Sequence, residues 1–155
     1  MSEDIKKTAI TAAGYMYQNW QGLRILCDWL DAPARYTRVK FECDDESVAP
    51  TGLDDIVVER SNGLVDLLQV KFTPDPNLHL LCWKWMLERT GKTARSRSML
   101  RKWFDAFKAL DPVRIGVLSL TTNRRPDADI EACLDGGTIS FTKIPEPRRS
   151  EIIAQ

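Results

Sequence analysis

Two short runs set polar groups of matched chemistry near one another: Asp54-Asp55 ahead of Ile56-Val57-Val58, and Gln69-Val70-Lys71 at the end of an apolar run. On an extended strand Gln69 and Lys71 fall on one face, and Leu68, Val70 and Phe72 on the other. An amide and an ammonium are then held side by side, and an aspartate brought opposite them would complete a group suited to a cation and a polarised water. Which aspartate arrives depends on the turn between the strands, Ser61-Asn62-Gly63. A two-residue Asn-Gly loop sets Asp54 against Lys71. A three-residue loop, with Gly63 in the left-handed bulge position, sets Asp55 against Gln69. The longer loop is preferred, with Asp54 kept as the alternative acid, and Asp55 and Lys71 are expected at a solvent-facing strand edge. Alone, Gln-x-Lys on a strand is an ordinary solvated face and paired aspartates are ordinary turn chemistry.

The surrounding elements must therefore supply the rest. Residues 11–31 space Met16, Trp20, Leu23, Cys27 and Leu30 as one helical stripe, with Pro33 ending the helix. A second stripe of Gly14, Gln18 and Gly22 would let the backbone approach another element closely and present Gln18 to it. Residues 36–43, 56–58 and 64–72 read as strands, 78–89 and 97–110 as helices, and 115–120 as a buried strand. A short helix over 127–134 and a last strand over 139–141 complete an αβββααβαβ order, an α/β layered domain.

With 155 residues, 43% apolar and 28% charged, the chain suits one ordinary domain and excludes wholesale disorder. No apolar run approaches bilayer length and the N-terminus has no secretory core, so no membrane partner is expected and the cytoplasm is the expected location. The four cysteines are widely spaced and read as reduced core residues. The first residues look disordered. The tail after Pro147 resembles the start of a Ser150-capped helix, dividing a domain over 1–147 from a linker beginning over 148–155 toward a further C-terminal region.

Taken in order, these residues resemble a known family. An acid at a strand start, a hairpin and then acid-x-Lys is the signature of the PD-(D/E)xK nucleases, and Asp54-Asp55-Ile56 with Gln69-Val70-Lys71 resembles the variant in which Gln replaces the second acid. Gly14 to Gln18, Glu42, Leu100 to Trp103 and Thr121-Thr122-Asn123 extend the similarity to the N-terminal double-stranded-DNA endonuclease domains of bacterial antiphage defence effectors, over roughly residues 12–145. The departures are Asp54 at the name-giving proline and Gln69 at a carboxylate position. The resemblance implies a restriction-endonuclease-like three-layer fold, a central mixed β-sheet flanked by helices. It also implies DNA hydrolysis with Mg2+ or Mn2+, and a fused or associated sensor or NTPase module. Phosphodiester hydrolysis needs oxygen ligands for the ion and a cation near the water. Asp55 and Glu42 would be the anionic ligands, the Val70 carbonyl and Gln69 amide oxygen the neutral ones. Lys71 would orient the water, and Gln18 would reach in from the first helix.

Net charge is zero, yet residues 1–78 carry 13 acids against 8 bases and residues 79–155 carry 9 against 14. Lys84, Arg89, Lys92, Arg95, Arg97 and Arg101 are the expected phosphate contacts on DNA. Thr90-Gly91-Lys92-Thr93 is no phosphate-binding loop, because Met86 stands where its first glycine belongs. His79 reads as a surface or packing residue, since it has no cysteine partner. Trp83, Trp85 and Met86 read as a partner-facing patch for a homo-oligomer that pairs two active sites.

Overall fold

The computed structural model describes residues 3–89, 91 and 96–154. The chain is mixed α/β and divides into two compact units. The first holds the chain up to Pro74 together with Asp105–Asn123, and the second holds Asp75–Phe104 and the chain from Arg124 on.

In the first unit a four-stranded sheet runs in the order β1 (Tyr36–Phe41), β2 (Ile56–Arg60), β3 (Val65–Lys71), β4 (Ile115–Thr122). The first three strands are antiparallel neighbours and β4 joins β3 in parallel. The β2–β3 hairpin turns through Ser61-Asn62-Gly63, with Gly63 at φ 85° and the Arg60 N–H donating to the Leu64 carbonyl. The left-handed residue that a side chain would resist is supplied by glycine, and Ile56 lies opposite Leu68. Asp55 therefore stands opposite Gln69, the register of the three-residue loop. β4 was expected to be buried; it is an edge strand, and Val117 and Leu118 are exposed.

A 29-residue helix, α1 (Glu3–Asp31), lies on one face of this sheet, and helix replaces the disorder expected near the N-terminus. The core between them is Tyr36, Ile56, Val58 and Val70, with Tyr17, Ile25, Trp29 and Phe41 packed around it. The helix does not bury the stripe its apolar spacing suggested. Met16, Trp20, Leu23, Cys27 and Leu30 are exposed, while Gln18 and Gly22 are buried. The reason is steric: a β-carbon on Gly22 would fall inside the Phe41 ring. Only a glycine face lets the helix come down this close. Cys27 is thus a surface thiol, whereas Cys43 and Cys133 are buried.

The second unit has its own core of Trp83, Met86, Leu87, Ile130, Cys133 and Ile144. Trp83 and Met86 are thereby removed from the surface patch assigned to them, and Trp85 lies under the Arg124 guanidinium, 4.2 Å from the ring centre. The helix expected over 78–89 is only α2 (Trp83–Leu87). Asp75 takes the N–H groups of Asn77 and Leu78 in a turn instead, and the Cys82 sulfur caps the short helix at Trp85. α3 (Met99–Lys108) begins in this unit and ends in the first, and α4 (Ala128–Cys133), capped by Asp127, follows here. β5 (Leu134–Asp135) and β6 (Thr138–Ile139) form a separate two-stranded hairpin across Gly136-Gly137, so the last strand does not join the main sheet. Residues 148–153 continue α5 (Glu146–Ile153), which starts before Ser150 and packs Ile152 against the core. Among the described residues no helix is long and apolar enough to cross a membrane.

Candidate functional site

The expected polar residues meet where β2 begins and β3 ends. Beyond the Ile56–Leu68 pair the β2 backbone turns away, because the Asp54 carbonyl takes the Cys43 N–H and the Asp54 carboxylate takes the Gly52 N–H at 2.8 Å. Asp54 is spent on that turn. The ladder donor left over on β3, the Val70 N–H, is taken by a side chain instead: Asp55 Oδ2 accepts it at 2.6 Å. The same oxygen accepts from Gln69 Nε2 and lies 4.0 Å from Lys71 Nζ. On a strand the N–H and C=O of one residue project to the same edge, so the Val70 carbonyl also points past the end of β2.

The backbone of Asp55 is pinned as firmly. Its carbonyl accepts from the Glu42 N–H at 3.1 Å and from Gln18 Nε2 at 3.0 Å, and that same amide nitrogen donates to Glu42 Oε1 at 2.7 Å. Gln18 is 8% exposed, held down by the glycine face of α1. Glu42, just past β1, has φ 47°, alone among the described non-glycine residues in the left-handed region. Such a conformation costs roughly 1–3 kcal/mol, and it sits where a side chain has been aimed. One amide thus joins helix, first strand and second strand. Thr11, Gly14, Tyr15 and Phe72 surround the group as an open depression of about 270 Å3.

Set side by side with known protein families, curated proteins and solved structures, the chain matches none.

The burial of Asp55 corrects the solvent-edge expectation. β3 is an interior strand, the Asp55 side chain is 15% exposed, and Lys71 is 41% exposed. Burial pushes the Asp55 carboxyl above its ordinary range, opposed by the Val70 N–H and the Lys71 charge and reinforced by Glu42 and Asp54. Gln69 is 1% exposed and uses its amide nitrogen; its oxygen is buried with no hydrogen-bond partner. A buried carbonyl oxygen with no protein donor is free to accept from an ordered water or to ligate a cation. Among the described residues no group of three or more His, Cys, Asp and Glu is placed to hold a metal, so an ion here would depend on amide and carbonyl oxygens.

Thr73 and Asn123, two residues beyond Lys71 and one beyond β4, were not assigned a role. Asn123 Oδ1 accepts the Thr73 N–H at 2.8 Å and its Nδ2 donates to the Thr73 carbonyl at 2.7 Å. This amide clasp ends β3 and β4 together and fixes the strand that carries Lys71. An asparagine directly after a strand was the available signal. Of the expected phosphate contacts, Lys84, Arg89, Arg97 and Arg101 stand in the second unit, the first three exposed. Arg101 lies over the Phe104 ring at 5.7 Å. Lys92 and Arg95 lie outside the described residues. His79 is exposed, and its carbonyl accepts from Arg124.

Proposed function

We propose that this chain is a Mg2+- or Mn2+-dependent endonuclease domain of restriction-endonuclease-like fold that hydrolyses DNA phosphodiesters. The setting the motifs resemble is the effector domain of a bacterial antiphage defence protein, with a fused sensor or NTPase. The observation that carries the reading is the convergence on Asp55: carboxylate, Gln69 amide and Lys71 ammonium at one strand end, with Glu42 fixed beside them by Gln18.

When bound, the divalent ion would neutralise phosphoryl oxygens and acidify a water. Asp55, Glu42, the Gln69 oxygen and the Val70 carbonyl would hold it, and the partnerless Gln69 oxygen fits that role. Lys71, the more exposed member, orients the water and stabilises charge on the phosphoryl group. Gln18 acts through Glu42 and is a positioning residue. Lys84, Arg89, Lys92, Arg95, Arg97 and Arg101 contribute phosphate contacts, which makes DNA affinity fall steeply with salt.

A second reading, a non-catalytic nucleic-acid-binding module, draws on the small number of carboxylates at the site. Plasmid cleavage separates the two. Nicking and linearisation in Mg2+, abolished by EDTA and reduced about 100-fold or more in Lys71→Ala and Asp55→Asn, supports the nuclease. Folded protein that binds DNA in a salt-dependent manner and never cuts it establishes the binding module.

A further inference from the structure

The outward face of α1 has a repeat of its own. Ala13, Met16, Trp20, Leu23, Cys27 and Leu30 follow at intervals of three and four, and Ala9 extends the series. A strict 3.5-residue repeat over three heptads is the seam of a pair of helices, whereas a helix laid on a sheet needs no such repeat. The seam is open. Met16 is 61% exposed, Trp20 64%, Leu23 49% and Leu30 79%, because the opposite face holds the sheet.

We propose that this face is a self-association surface, occupied by α1 of a second copy of this chain running antiparallel. The inference concerns the face of α1 turned away from the candidate site and does not rest on the nuclease reading. Two observations select this occupant. The first is size: Trp20 alone leaves about 150 Å2 open. Together with Met16, Leu23, Cys27 and Leu30, it gives the seam on the order of 500 Å2 per copy, so a symmetric pair reaches the roughly 1,000 Å2 in total that a specific interface must clear.

The second is complementarity. An antiparallel pairing centred at the level of Gln18 sets Met16 against Trp20, Ala13 against Leu23 and Ala9 against Cys27, a small residue facing a larger one in the outer layers. It also places Lys6, flanking the seam near one end, across from Asp31, flanking it near the other, and opposes the two helix dipoles. A parallel pair would stack Trp20 on Trp20 and bring like charges together. Because a twofold axis relates the copies, every contact is made twice and the assembly closes as a dimer.

Sedimentation and light scattering on the full chain test this. The expected result is a dimer, with Trp20→Glu/Leu23→Glu monomeric and its far-UV dichroism unchanged, since both residues are already exposed in one copy. Should the double variant fold poorly, Met16→Glu alone, at the centre opposite Trp20, is expected to raise the dimer dissociation constant by at least about tenfold. Ala9→Cys, mildly oxidised, is expected to form an intermolecular disulfide with Cys27. A wild-type protein that stays monomeric overturns the proposal, as does a dimer insensitive to these glutamates. A Cys27–Cys27 cross-link in unmodified protein overturns the antiparallel arrangement. Co-sedimentation of a monomer with phosphatidylcholine–phosphatidylglycerol vesicles, lost in the double variant, would assign the face to a lipid surface instead.

Discussion

The two long faces of α1 invert the usual relation between side-chain polarity and burial. One face carries Gly14, Gln18 and Gly22 to the sheet, and the other carries Met16, Trp20, Leu23 and Leu30 to solvent. The buried face was selected by fit and by polar satisfaction. Gly22 makes room for Phe41, and Gln18 supplies a donor to the Glu42 carboxylate and a second donor to the Asp55 carbonyl, tying both to the helix. Apolar area alone would have turned the helix the other way.

Four substitutions break or sharpen that contrast. Gly22→Val should have the largest effect, because its β-carbon enters the Phe41 ring; a loss on the order of 2–3 kcal/mol is expected, read as a fall in the urea midpoint. Gln18→Leu keeps the volume and removes the donor, leaving the Asp55 carbonyl with the Glu42 N–H alone and the exposed Glu42 carboxylate to solvent. It should cost about 1–2 kcal/mol by equilibrium unfolding, and an unchanged midpoint would show that the polar contacts do not hold the helix in place.

Asp55→Asn tests the carboxyl those contacts surround. Since the folded pKa is raised, the folded protein keeps this proton to higher pH than the unfolded chain does. Stability therefore declines as pH rises from the ordinary carboxylate range through the raised folded value, and levels off above it. The variant lacks that slope, so relative to wild type it should be more stable at neutral pH than in acid; thermal unfolding across pH reads the difference. Gly14→Ala should do least. Its β-carbon would lie 4.0 Å from Phe72, ordinary contact, and the gain in helix propensity offsets any adjustment, leaving a change within about 1 kcal/mol of either sign in the same unfolding assay.

Legibility in the sequence followed locality. The β2–β3 hairpin and its register could be read because Ser61-Asn62-Gly63 dictates the loop within three residues, and the face shared by Gln69 and Lys71 follows from strand geometry alone. The proximity of Gly14, Gln18 and Gly22 to another element was also readable, from their spacing and size. The exposure of the apolar stripe was not, because it depends on where Phe41 stands, a fact of tertiary packing. Trp83 and Met86 were misplaced for the same kind of reason. Their core is built by Ile130, Cys133 and Ile144, more than forty residues on, and no local pattern announces it. Glu42 carried no sign of its left-handed backbone, since glutamate ordinarily avoids it.

The Val70 N–H, which β2 leaves unpaired by ending one residue early, gives the carboxylate a built-in reporter. Its hydrogen bond runs to Asp55 Oδ2 and to no backbone group across the ladder, so its proton chemical shift and its rate of exchange with deuterium are tied to the charge on a single side chain. One amide resonance, followed through a pH titration, then reads the ionisation of Asp55 directly in the intact protein.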